Sequence, residues 1–127
     1  MLSSHIENYL EIILGLQKKH GHAHIRDIAR VRKIKMPSVS EALGKLKKKG
    51  LVSYQRYGTV SLTKKGEAIA QNVSQRHRTL FNFLHKVLGV SKKIAEEDAC
   101  RIEHVINPQT LERIRRCVYS PHCKIVR

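Results

Sequence analysis

The chain has 127 residues, 41% of them hydrophobic and none of them Trp. That is long enough for one packed core of Leu, Ile, Val and Ala, and it excludes a disordered tail. Lys and Arg number 25 against 10 Asp and Glu, a formal net charge of +15; such a field selects polyanions, nucleic acid ahead of an anionic membrane.

The first predicted element is a helix over residues 3–19, capped by Ser4 with Glu7 completing a capping box. Ile6, Tyr9, Leu10, Ile13 and Leu14 form its apolar stripe, and Gly21 ends it. A short helix over 24–32 turns Ile25, Ile28 and Ala29 inward, and residues 33–36 form a tight turn. Pro37 then opens a third helix running to Lys49, where its missing N–H costs nothing. Val39, Ala42, Leu43 and Leu46 keep helical spacing until Gly50 stops it. Residues 51–54 and 59–62 read as a short β-hairpin around Gly58. Helices follow over 64–88, 91–106 and 108–118, and the remaining tail is irregular.

Helix, helix, tight turn, helix and hairpin is the winged helix-turn-helix order. The expected fold class is therefore mainly α with a small β-hairpin wing, followed by further helices. Charge falls where this reading needs it. Residues 30–49 carry Arg30, Arg32, Lys33, Lys35, Lys45, Lys47, Lys48 and Lys49, opposed only by Glu41, whereas residues 91–127 are nearly balanced.

The third helix is the recognition-helix candidate, with Pro37, Ser38, Ser40 and Glu41 in its first turn and Lys35 and Lys45 as phosphate-binding candidates. Ser38 either caps the helix or reaches a base edge. Glu41 either accepts from a cytosine amino group or offsets nearby lysines. Arg56 and Tyr57, at the wing tip, either contact DNA or form an exposed turn.

Cys100, Glu103 and His104 fall at i, i+3 and i+4, which puts them on one helix face. Thiolate, carboxylate and imidazole together suit a divalent transition metal. The same local pattern equally describes one buried Cys beside a surface Glu and His. His77 lies on the preceding long helix and Glu11 on the first. The histidines at 20, 22 and 24 form either a surface metal site or an exposed loop. His5 and His85 read as surface residues. Cys117, His122 and Cys123 hold a second metal, oxidise together, or belong to inert packing or a tail.

Three segments resemble the diphtheria toxin repressor and manganese transport regulator family of metal-dependent repressors. They are Asn8-Tyr9-Leu10-Glu11; Pro37-Ser38-Val39-Ser40-Glu41 leading through Gly50-Leu51-Val52 to Leu62-Thr63-Lys64-Lys65-Gly66; and Arg76-His77-Arg78 with Asp98-Ala99-Cys100-Arg101-Ile102-Glu103-His104-Val105. The last is similar to the family's iron-sensing branch, and the likeness spans roughly residues 4–118.

The resemblance implies metal ligands at Cys100, Glu103 and His104. It also implies further ligands at His77, at Glu11 as in the manganese branch, and at position 8, where the family's acid or Met is replaced by Asn8. The iron branch's ancillary site needs Glu at position 81 and His at 96. This chain has Phe81 and Glu96, so that site is expected to be absent or rebuilt. A Cys donor is softer than the family's alternative Glu, which argues for Fe²⁺ over Mn²⁺ as the cofactor.

The resemblance further implies a DNA-binding domain over 1–63 and a helical metal-binding and dimerisation domain over 64–127. The homodimer's metal would tie the first helix to the later ones. It would hold the two recognition helices about 34 Å apart, one DNA turn, over a palindromic operator in double-stranded DNA. The output expected is metal-dependent repression of metal-uptake genes.

No apolar run reaches membrane-spanning length, and the first residues do not read as a signal peptide. Three Cys without a secretion signal make a disulfide framework unexpected, so a cytoplasmic protein is expected. There is no Gly-rich phosphate loop, nucleophile elbow or HExxH helix, so no enzymatic activity is expected. The alternative is a winged-helix transcription factor that ignores metal and answers a small molecule or protein partner.

Overall fold

The computed structural model describes residues 3–120, so the predicted tail and its His122 and Cys123 lie outside the described residues. The chain divides into two compact units, one running to Gln71 and the other starting at Asn72.

In the first unit, helix α1 (Ser4–His20) is followed by strand β1 (Ala23–His24), helices α2 (Ile25–Arg32) and α3 (Met36–Lys48), and strands β2 (Val52–Tyr54) and β3 (Thr59–Leu62). Helix α4 (Lys64–Asn82) begins here. The α1 cap is Ser3, whose hydroxyl accepts from Ile6 N at 3.2 Å. Ser4 is already helical, so the expected Ser4–Glu7 box is not the cap that is used.

The predicted second helix starts one residue late because Ala23 and His24 are taken up by strand β1. They pair antiparallel with Val60 and Thr59, making a three-stranded sheet in the order β1-β3-β2 rather than a bare hairpin. On the other side of β3, Val52 faces Leu62 and Tyr54 faces Val60. The helix-turn-helix bend is made by Lys33 in a left-handed conformation, φ 58° and ψ 44°, with Ile34 N bonded to Ala29 O at 3.1 Å.

The stripes read from the sequence converge. Tyr9, Leu10, Ile13, Ile28, Val39, Leu43, Leu46, Leu51 and Val60 are at most 1% exposed and form one apolar cluster. Each such side chain contributes roughly 1.5–3 kcal/mol on burial. The Gln17 side chain accepts from Leu62 N at 2.8 Å and so ties α1 to β3.

Gly66 closes the wing. Thr63 donates its hydroxyl to Gly50 O at 2.7 Å and accepts from Gly66 N at 3.1 Å. A Cβ at Gly66 would lie 2.0 Å from the Leu51 carbonyl oxygen, so only glycine fits there.

In the second unit the long helix predicted to Leu88 is α-helical only to Asn82 and continues as a π-helical segment over Phe83–Val87. His85 is not a plain surface histidine there: it is half-buried and its Nδ1 lies 2.8 Å from the Val90 carbonyl. Ser91 caps helix α5 (Lys92–Ile102), and Asn107 caps helix α6 (Pro108–Tyr119). Helix α5 thus ends four residues earlier than predicted. No described helix is long and apolar enough to cross a membrane.

Candidate metal centre and nucleic-acid interface

Ala95 and Ala99 are fully buried, one and two turns along the same face of α5, and Glu103 continues that stripe with 0% exposure. A carboxylate thus stands where the pattern calls for another small apolar residue. It occupies the helix C-cap, with its N–H bonded to Ala99 O at 3.0 Å. Arg76 holds its carbonyl oxygen at 2.7 Å.

Among the described residues no donor meets either carboxylate oxygen of Glu103 in full hydrogen-bond geometry. One faces His77 Nδ1 and the other His104 Nε2, each at 3.5 Å. Desolvating a carboxylate without hydrogen bonds is expensive unless a cation meets it. Two imidazole nitrogens on either side make a pocket of one carboxylate and two nitrogen donors.

His77 is the most perturbed titratable group here. The Glu103 carboxylate raises it, burial opposes this, and Glu96 adds to the rise; the outcome is about 9 against an ordinary 6.5. Its Nε2 lies 2.7 Å from Glu96 Oε1.

The burial order is the reverse of the bland local reading: Cys100 is exposed, whereas Glu103 is buried and the His104 side chain is only 7% exposed. Cys100 lies within α5, while Glu103 and His104 sit in the turn just past the helix end. Sequence analysis named Glu96 only as the residue standing where the iron branch's ancillary site has a His, and gave Arg76 no role. The signal was available for Glu96, which precedes Glu103 by seven residues and so shares its side of the helix. Arg76 gave no signal beyond its place next to His77.

In the first unit Asn8 and Glu11 lie on α1, three residues apart and half-buried. His5 instead joins Arg32, whose guanidinium lies 3.2 Å from His5 Nδ1 and 5.1 Å from the Tyr9 ring centre. His22 and His24 meet edge to face at 4.7 Å between ring centres, with His24 in β1.

Lys35, Pro37, Ser38, Ser40, Glu41 and Lys45 are all exposed along α3. Lys35 occupies the α3 cap position, without a side-chain cap bond, and Ser38 lies inside the helix. Ser38 therefore does not cap the helix. Lys47 Nζ lies 5.0 Å from the centre of the Tyr54 ring. At the wing tip Arg56 is exposed and Tyr57 is 89% exposed, with Tyr57 held at φ 63° by the turn.

Residues 1–60 match the family model described as iron dependent repressor, N-terminal DNA binding domain, and residues 63–124 match its metal binding and dimerisation domain. The chain belongs to the diphtheria toxin repressor and manganese transport regulator family of metal-dependent transcriptional repressors. This is a family of transcriptional regulators, not of enzymes.

An uncharacterised HTH-type regulator of Methanocaldococcus jannaschii is 34% identical over 115 residues, 90% of this chain and 92% of that protein. The transcriptional regulator MntR of Escherichia coli O157:H7 is 37% identical over 110 residues, 87% of this chain and 70% of that protein. Among solved structures, T. acidophilum IdeR matches with a TM-score of 0.77 and 29% identity, covering 85% of this chain and 51% of the other. A manganese-dependent transcriptional repressor in complex with manganese matches with a TM-score of 0.82 and 27% identity, over 91% and 53%. The chain spans about half the length of these two solved structures.

The second unit of this repressor chain fits a divalent transition ion by its own chemistry. A buried carboxylate flanked by two imidazoles is a donor set of the required kind.

Proposed function

We propose that the chain is a homodimeric repressor, activated by Fe²⁺ or Mn²⁺, that binds a palindromic operator and turns down metal-uptake genes when the metal is plentiful. The observation that carries this reading is the buried Glu103 carboxylate held between His77 and His104. His77, Cys100, Glu103 and His104 hold the ion, and Asn8 and Glu11 of α1 supply further oxygen donors. The ion supplies positive charge at Glu103. Its uptake displaces the proton on His77, so binding strengthens as pH rises.

On the DNA side, Ser38, Ser40 and Glu41 face base edges from the start of α3, with Pro37 setting its first turn. Lys35, Lys45, Arg56 and Tyr57 hold the backbone. Their exposure and the concentration of positive charge across residues 30–49 support this. Leu88, Ile94, Val105 and Tyr119, all at least 48% exposed in a single chain, support a second unit that is covered by a partner copy.

Metal identity divides on two observations. Cys100 is a soft donor and argues for Fe²⁺, whereas likeness to a solved manganese-dependent transcriptional repressor argues for Mn²⁺. Anaerobic anisotropy titrations of a promoter duplex, at fixed salt and with chelator, Fe²⁺ or Mn²⁺, test the reading. Metal should tighten binding tenfold or more, about 1.4 kcal/mol of coupling, and by linkage DNA should tighten metal binding equally. Chelated protein that binds as tightly as the loaded form rejects the metal switch and leaves the winged helix standing.

A further inference from the structure

We propose that Glu96 is the positioning residue of the metal centre: its carboxylate takes the Nε2 proton of His77 in a hydrogen bond and turns the Nδ1 lone pair onto the ion. This rests on the ligand assignment proposed above and deepens it.

A neutral imidazole has one N–H and one lone pair, and a carboxylate only accepts. Glu96 Oε1 lies 2.7 Å from His77 Nε2, so the N–H of the neutral ring belongs on Nε2. Nδ1 is then the lone pair. It is buried, accepts no hydrogen bond among the described residues, and lies 3.5 Å from Glu103 Oε2. A ligating imidazole whose other nitrogen donates to a carboxylate is more basic and fixed in ring orientation.

Glu96 is suited to this role. Its side chain is 62% exposed, so its own charge stays hydrated, while the ring it grips is only 19% exposed. Glu96 lies on α5 and Glu103 at the C-cap that ends it, so α5 and its cap present both groups that face the His77 ring. An outward-facing residue with no place in the core thereby sets the strength of a buried ligand.

The test uses the full chain, Mn²⁺ as the probe, and electron paramagnetic resonance of free Mn²⁺ to read affinity and ions bound per chain. Glu96→Ala should weaken Mn²⁺ binding by about 10–100-fold, the usual cost of losing such an outer partner. The number of ions bound should stay the same. Glu96→Gln, which keeps an acceptor but no charge, should fall between Glu96→Ala and the parent. In a His77→Ala background, Glu96→Ala should cost nothing further, an outcome that a general structural role would not give.

Three results overturn the proposal: affinity unchanged in Glu96→Ala while His77→Ala loses it; one ion fewer per chain, which would make Glu96 itself a ligand; or additive losses in the double variant. A His77→Ala protein that binds Mn²⁺ like the parent overturns instead the ligand assignment beneath it.

Discussion

Each unit buries one carboxylate, Glu7 on α1 in the first at 6% exposed and Glu103 in the second at 0%, but only Glu103 faces two imidazoles. In the first, α1, α2, α3 and the sheet enclose Tyr9, Leu10, Ile13, Leu43 and Val60, and the charges of α3 stay outside. In the second, the stripe of Ala95 and Ala99 ends on a carboxylate, Glu103, that is as buried as any core leucine. The first unit draws its stability from apolar area, which no ligand changes. The second contains a desolvated charge, whose cost is relieved only by a proton or a cation. A metal switch needs that division: a rigid reading head, and a separate unit whose balance an ion can tip.

Removing core volume from the first unit should do the most damage. Leu43→Ala should lower stability by about 2–5 kcal/mol, by the same amount with and without metal, in urea titrations followed by circular dichroism. A loss that metal rescues would break the contrast. Gly66→Ala should cost about 1–3 kcal/mol in the same assay, because its methyl group meets the Leu51 carbonyl.

The pH response should belong to the second unit. His77 is raised from 6.5 to about 9 by Glu103 and Glu96. Its stabilising contribution in the metal-free protein is therefore complete below pH 6.5 and is lost as pH rises through about 9. Melting temperature measured from pH 6 to 10 should fall across that window and should flatten in His77→Ala. An equal fall in that variant would assign the effect elsewhere.

The smallest effect separates two neighbouring serines. Ser3→Ala should cost about 1 kcal/mol through loss of the α1 cap, and Ser4→Ala should cost much less.

Much of this was legible in the chain, and what was not has physical causes. Stripes such as Ile6, Tyr9, Leu10, Ile13 and Val39, Leu43, Leu46 carry a 3.6-residue period, so the helices and the winged order were readable. Strand β1 was not, because two residues have no period and its partners lie 36 or so positions away at Thr59 and Val60. The cap at Ser3 was one residue off because Ser3 and Ser4 are chemically alike. Cys100, Glu103 and His104 were visible as donors by spacing. Which of them was buried was not, since burial depends on the stripe of Ala95 and Ala99 running into Glu103. The grip of Glu96 on His77 joins two helices, and no local pattern shows it.

DNA binding by the parent chain and by Glu103→Gln, each with chelator and with metal at one salt concentration, decides whether the buried carboxylate carries the switch. The parent should tighten tenfold or more on adding Fe²⁺ or Mn²⁺, about 1.4 kcal/mol, and Glu103→Gln should keep its metal-free affinity but gain nothing from the ion. A Glu103→Gln protein that still tightens with metal would contradict that role.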